Sequence, residues 1–360
     1  MYKSFELDLN DSDKWQEYLE RIPEPQRDIY FSPDYYRLYE KLGDGIAKCF
    51  IVTNGKETAL YPYLMNAVDK KKYNLEEDYY DIQGAYGYNG TIYTSLNDEV
   101  IAAFDEAFNQ YCLEKKILAE FTRFHPLLKN REFSKNRMKI IDDRETVYLA
   151  LGQEIDDLWK DQFSSQVRNK IRKAHKRGYS SEVLKNPEGE DIQTFIEIYR
   201  GNMEMVNADE YFYFNSEYFE NTFKYLPGHS YLMNIKNEQG EIISSTILFK
   251  YGDYFHYHLS GRTRDAISWA SNFLYSESIN LAKDLGAKFY HFGGGRTGNP
   301  KDSLLRFKKG FSNTSSIFTL GKKIYYPEVY NSIEKQWNSE NPHLEEEYRN
   351  FLLKYRVENV

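Results

Sequence analysis

Two periods run through the apolar positions of this chain. Helical spacing puts Val100, Phe104, Ala107, Phe108 and Tyr111 on one face of Asp98 to Lys115, and Phe273, Leu274, Ile279, Ala282 and Leu285 on one face of Ser268 to Leu285. An apolar run of strand length follows each, Ile117 to Phe124 and Lys288 to Phe292. Strand, turn and strand occur at Phe50 to Met65 and again at Tyr231 to Lys250, with Gly55 and Gly240 in the turns, which predicts two β-hairpins. After each hairpin comes a Tyr-rich strand ending at glycine, Tyr79 to Gly90 and Tyr254 to Gly261.

The order therefore repeats. Tyr30-Phe31-Ser32-Pro33-Asp34-Tyr35-Tyr36 returns as Tyr213-Phe214-Asn215-Ser216-Glu217-Tyr218-Phe219, each time opening a helical pattern at a Ser or Asn cap position. One matched heptapeptide means little, but a matched order of helix, hairpin, strand, helix and strand in both halves points to duplication. The expectation is an α/β (α+β) protein of two similar domains, 1–150 and 151–335, with mixed sheets flanked by helices and a helical tail over 336–360. Within the second, residues 164–178 predict a short helix with Ser164 or Ser165 as cap, Val167, Ile171 and Ala174 as its apolar stripe and Gly178 as its stop. Asn341-Pro342, then Leu344, Tyr348, Phe351, Leu352 and Tyr355, predict a terminal helix with Pro at its first position.

Composition narrows the function classes. The 47 Lys+Arg against 55 Asp+Glu give a net charge of −8, so no whole-molecule basic field draws DNA, and any anion site must be local. With only Cys49 and Cys112, neither a disulfide framework nor a zinc site is expected, and no metal is. The first residues lack a signal-peptide pattern and no run of about 18 apolar residues occurs, so a cytoplasmic protein with at most peripheral membrane association is expected. The 33 Tyr and 23 Phe imply many half-buried rings at strand faces and clefts.

The local anion site has an obvious candidate. Arg168, Lys170, Arg172, Lys173, Lys176 and Arg177 fall within ten residues with no carboxylate, on both flanks of the apolar stripe, so the helix can dock and still present charge. A polyphosphate, a pyrophosphate-linked sugar or an RNA acceptor stem suits it, and a solvated face of snorkelling side chains explains it equally well. Leu304 to Phe311 is a cationic segment framed by aromatics after the Gly-rich Gly293 to Gly298. A lysine held there, Lys308 beside Phe307, is placed to stabilise an oxyanion, although the glycine run lacks the phosphate-loop Gly-Lys-Ser/Thr and on its own reads as a flexible loop. His256 and His258 share one strand face and His291 ends another strand, so His258 and His291 become general-base candidates if those strands are neighbours; core histidines are the alternative. No nucleophile-elbow or His-Glu-x-x-His pattern occurs.

The basic helix from Val167, the hairpin at Ile243 to Tyr251 running into Tyr257 to Gly261, Phe289 to Gly295, Leu305 to Phe311 and Tyr326-Pro327-Glu328-Val329-Tyr330 together resemble the Fem-type (FemABX) aminoacyltransferases of peptidoglycan cross-bridge synthesis, within the wider group of duplicated GNAT-fold acyltransferases of cell-envelope polysaccharide pathways. That resemblance covers nearly the whole chain and implies two tandem GNAT-like domains. It implies that Lys308 stabilises the transition state of acyl transfer with Phe307 as neighbour, and that Tyr218 contacts the acceptor. Tyr86, Tyr88, Tyr257 and Arg306 join it as expected substrate contacts. Phe214 stands where an arginine that grips the precursor's pyrophosphate is expected, Leu259 where a second acceptor tyrosine is, and the long coiled-coil arm of some members is missing. Those departures point away from a muramyl-pentapeptide acceptor, and Tyr86-Gly87-Tyr88 is similar to members linked to surface polysaccharides. The implied function is N-acyl transfer from acyl-CoA or aminoacyl-tRNA, bound only as substrates, to an amino group of a sugar or peptide envelope precursor. The alternative is a non-catalytic binding protein of the same fold that docks RNA or another anionic partner.

Overall fold

The structure is a computed structural model and describes residues 1–266 and 269–357. In chain order the first half runs β1 (Lys3–Asp8), α1 (Ser12–Arg21), α2 (Pro33–Leu42), β2 (Ile46–Thr53), β3 (Thr58–Ala67), β4 (Tyr80–Gln83), β5 (Ile92–Tyr93), α3 (Asp98–Glu114), β6 (Ile117–Phe124), α4 (Arg131–Ser134) and β7 (Lys139–Ala150). There follow α5 (Ile155–Asp161), α6 (Ser165–Lys176), β8 (Ser180–Leu184), α7 (Glu190–Met205), α8 (Ser216–Tyr225), β9 (Ser230–Lys236), β10 (Ile242–Tyr251), β11 (Tyr254–Arg262), α9 (Trp269–Asp284), β12 (Phe289–Gly294), α10 (Ser303–Lys309), β13 (Ser315–Ile324) and α11 (Pro327–Glu340). The expected start of α9 at Ser268 lies outside the described residues.

The chain packs as two compact units, 1–143 with 318–360, and 144–317. The expected divisions at 150/151 and 335/336 differ from these units because the chain after residue 317 returns to the first one. In unit one the sheet order is β1-β2-β3-β4-β6-β13, antiparallel except for the parallel β4–β6 pair. Unit two repeats it as β8-β9-β10-β11-β12-β7, with β11–β12 as its parallel pair. Each sheet thus takes its last strand from beyond its own half of the sequence: Thr319–Ile324 of β13 pairs with β6, and Thr146–Ala150 of β7 pairs with β12.

The duplicated heptapeptides do what their sequence predicts. The Ser32 hydroxyl accepts from the Tyr35 amide at 3.2 Å to start α2, and the Asn215 side chain accepts from the Tyr218 amide at 2.8 Å to start α8. In unit one the Phe104 and Phe108 face of α3 packs on Phe50, Tyr61 and Tyr63 of the sheet. In unit two α6 and α9 bury Val167, Ile171, Ala174, Phe273, Leu274 and Ile279 with Phe255, Tyr290 and Phe292.

Two expectations fail locally. The strand predicted over Tyr79 to Gly90 stops at Gln83, because Gly87 and Gly90 take φ of 97° and 102° and turn the chain into a loop. The terminal helix predicted after Pro342 is instead a series of turns ending in one 3₁₀ turn, Lys354–Arg356. Its backbone carbonyls are taken by side chains from elsewhere: Tyr330 donates to Leu352, Tyr73 to Tyr355 and Trp337 to Val357. With Leu352, Leu353 and Tyr355 packed against Trp337 and Tyr79, tertiary contacts override the helical pattern.

Candidate active site

The two central strands of unit two part company. β11 and β12 pair only from Tyr254–Phe289 to His256–His291; beyond that no pairing joins them among the described residues. On its other side β11 stays paired with β10, where Ile247 faces Leu259 and Leu248 faces Tyr257, leaving His258 as an extra residue in a β-bulge. The hydrogen-bond ladder is therefore open between residues 257–262 and the end of β12.

Lys308 reaches the β12 side of that opening. Asp302 caps α10 by accepting from the Leu304 and Leu305 amides at 2.9 and 3.0 Å, so a one-turn pattern in the sequence becomes a real helix. On it Lys308 is only 7% exposed and donates from Nζ to the Gly294 carbonyl at 2.7 Å. Burial pushes its ammonium down to about 7, against the opposing pull of Asp302. Gly293 has a φ of 78°, and a Cβ there would stand 3.4 Å from Nζ. Neighbouring Lys309 points elsewhere and pairs with Glu145 at 2.7 Å, which holds that carboxyl below its usual range.

An aromatic wall lines one face. Tyr257 stacks on Tyr275 with centroids 4.3 Å apart, and Tyr275 also touches Phe292, Phe307 and Phe311. Phe307 is half-buried and Arg306 is exposed. On the other face the Tyr218 hydroxyl and His258 Nε2 are 2.9 Å apart. Tyr218 is 2% exposed and stacks on Phe214 at 4.2 Å. Phe249 lies 4.3 Å from the His258 ring, and burial, with His256 adding to it, pushes that imidazole down to about 3. It is therefore neutral at ordinary pH. β11 and β12 are neighbours, as the histidine reading required, but the register partner of His291 is His256, their rings 5.6 Å apart and edge to face, rather than His258.

The basic helix forms as predicted, with Ser164 capping Val167 at 3.3 Å and Gly178 at φ 81° after its end. Its cations divide. Arg168 donates to the carbonyls of Trp159, Lys160 and Phe163 and so closes the C-terminal end of α5. Arg177 pairs with Glu238 at 2.8 Å. Arg172 lies over Trp159 and Lys173 over Trp269, each 5.5 Å from the ring centre, while Lys176 is exposed and Lys170 half-buried. Tyr86 and Tyr88 belong to unit one, on the loop after β4, where the Tyr35 hydroxyl donates to the Tyr86 carbonyl at 2.6 Å and Tyr88 meets Tyr30 and His125 edge-on.

Sequence reasoning missed the Tyr218–His258 pair, because its members lie forty positions apart, and the anchoring of Lys308 by Gly294. For α10 a signal existed, since Asp302 two residues before an apolar pair is a capping pattern.

Residues 161–309 match the acetyltransferase (GNAT) domain family. Together with the repeated sheet, this defines the protein as an acyltransferase of the GNAT fold. Its fold is similar to that of FemX, whose crystal structure superposes with a TM-score of 0.70 at 16% identity, over 91% of this chain and 99% of that one. L-PGS from Bacillus licheniformis gives 0.58 at 14% identity, over 87% and 92%. A tandem GNAT protein from the clavulanic acid biosynthesis pathway gives 0.52 at 9% identity, over 90% and 99%. No curated protein sequence matches the chain.

Proposed function

We propose that unit two transfers an acyl or aminoacyl group from acyl-CoA or aminoacyl-tRNA to an amino group of a cell-envelope precursor, a peptidoglycan peptide or a surface-polysaccharide amino sugar. The observation that carries this reading is Lys308, a buried ammonium at the point where β11 and β12 separate. The donor's carbonyl enters the opening, the acceptor nitrogen attacks it, and the charge that develops on oxygen meets the Lys308 ammonium. The carbon–nitrogen bond forms, the thioester or ester bond breaks, and the amine's proton leaves with the departing thiol or hydroxyl. No covalent enzyme intermediate is needed.

Phe307 and Tyr257 exclude water beside the reacting carbonyl, and Arg306 lies at the mouth as a substrate contact. Arg172, Lys173, Lys176 and Lys170 supply the donor's anion site, while Tyr218 holds His258 on the acceptor side. No helix among the described residues is long and apolar enough to cross a membrane. We place the reaction in the cytoplasm, where both kinds of donor are made. The fold likeness to FemX and L-PGS supports envelope chemistry.

The test is mass-spectrometric detection of product when the protein meets acyl-CoAs or charged tRNA together with nucleotide sugars and peptide precursors. Product with one donor–acceptor pair, lost in Lys308→Met, is the expected result. A folded protein that yields product with none of them overturns the reading.

A further inference from the structure

A cavity of about 260 Å³ opens at the end of β11, between that strand and α7. Gly261 makes the close approach possible: a Cβ there would stand 2.7 Å from the Ile198 carbonyl oxygen and 2.8 Å from the Tyr199 Cα. The helix backbone thus rests on the strand, and the residues just past the contact form the walls. Glu197, Ile198, Gly201 and Met205 come from α7, spaced about a turn apart, and Arg262, Thr263 and Arg264 come from the chain leaving β11.

Two features of these walls ask for a ligand. Among the described residues neither Arg262 nor Arg264 is in an ion pair; Arg262 donates to the Ala266 carbonyl at 3.2 Å, which holds the turn, and Arg264 is exposed. The lone carboxylate of the cavity, Glu197, accepts from Gln193 at 2.9 Å. Gly201 sits inside a helix, where glycine costs up to about 1 kcal/mol relative to alanine, and nothing lies within 4 Å of the position its Cβ would take. The helix is thus kept bare where it faces the hollow. Ile198 and Met205 supply an apolar surface beside the two guanidiniums.

We propose that this cavity binds an anionic group of the acyl acceptor, a phosphate or a carboxylate, in the fork of Arg262 and Arg264. The inference rests on the acyltransfer reading above and adds to it the chemistry of the acceptor. Planar guanidiniums receive two oxygens of such a group at once, which fixes orientation as well as position. α7 and α8 bring the cavity and Tyr218 to unit two, and β11 carries both His258 and Arg262. Arg262 stands four residues beyond His258 on β11, so an acceptor held by its anionic end at Arg262 passes around the Gly261 contact to reach His258.

Inorganic pyrophosphate and succinate serve as probes, one for each source of the charge, in titration calorimetry at low salt. Wild-type protein should bind one of them, Arg262→Gln/Arg264→Gln should weaken that binding at least tenfold, and Arg264→Gln, which keeps the Arg262–Ala266 bond, should weaken it with no change in melting temperature. Gly201→Met, which fills the cavity and spares both arginines, should weaken it as well. Lys308→Met should leave it unchanged, so loss of anion binding and loss of acyl transfer are read separately. Binding of neither probe by the wild type, or equal binding by the double arginine variant, overturns the proposal whatever the activity. Tighter binding of pyrophosphate assigns a phosphorylated acceptor, and tighter binding of succinate a carboxylated one.

Discussion

Lys308 and Gly294 are joined by a hydrogen bond of 2.7 Å from ammonium to carbonyl, which ties the end of α10 to the end of β12. A single neutral oxygen is a poor counter-charge for a buried cation, and among the described residues it is the pull of Asp302 that opposes the cost of burial. A charge that appears on substrate during reaction completes the pairing.

Lys308→Met should keep the fold and bind acceptor nearly normally, yet lose on the order of 10²-fold in kcat, the scale of removing one oxyanion donor. Lys309→Met, which breaks only the exposed pair with Glu145, should change kcat less than about threefold. Steady-state kinetics on both decide it: equal, mild losses with parallel falls in melting temperature would make the segment structural.

The same lysine predicts a pH dependence of stability. Below pH 7 it is protonated in both the folded and the unfolded chain, so the cost of enclosing the charge is fully present in the native state. Between about 7 and 10.5 the native lysine sheds its proton first, and the cost fades as pH rises. Lys308→Met should therefore stabilise the protein most below pH 7, by up to ~5 kcal/mol, with the gain vanishing near pH 10.5. Urea unfolding across that range checks it; a pH-independent gap would contradict the burial.

On the basic helix the cations should separate in kinetics as they do in structure. Arg168→Gln leaves three carbonyls at the end of α5 without their donor and should lower stability by about 1–3 kcal/mol, with little effect on donor KM. Arg172→Gln with Lys176→Gln should raise donor KM several-fold at low salt and less at high salt, since screening weakens exposed charge. Unchanged donor KM at low salt would return these residues to solvent.

Tyr218→Phe removes the hydroxyl from His258 and keeps the stack on Phe214. The loss should be about 1 kcal/mol in stability, with a changed nitrogen shift of the His258 ring by NMR. That ring should stay neutral down to about pH 5 in both proteins, because burial, with His256 adding to it, pushes it down to about 3. A Tyr218 that touched only the acceptor would leave the ring signal unmoved.

Much of this was written locally. The caps at Ser32, Ser164 and Asn215, the stop at Gly178 and the stripes of α3 and α6 are properties of neighbouring residues, so they can be read from spacing. Duplication was legible because Tyr35 and Tyr218 sit in matching heptapeptides. What stayed hidden depends on residues far apart. Nothing in Leu344 to Tyr355 says that tyrosines and a tryptophan from other elements will claim its backbone. His258 and His291 looked like a pair by residue type, whereas the bulge in β11 sends one to Tyr218 and the register sends the other to His256.

The crossed final strands reverse the order in which the two halves can mature during synthesis. Unit two holds β7 before its other strands are made and is complete once residue 317 has emerged. Unit one, although translated first, has an open edge at β6 until Thr319–Ile324 arrives, and its outer face waits for α11 and the chain to residue 357. The N-terminal half is thus the last to close. A ribosome-bound chain from which residue 317 has emerged and Phe318–Ile324 has not should carry a protease-resistant second unit behind a first one that is still digestible.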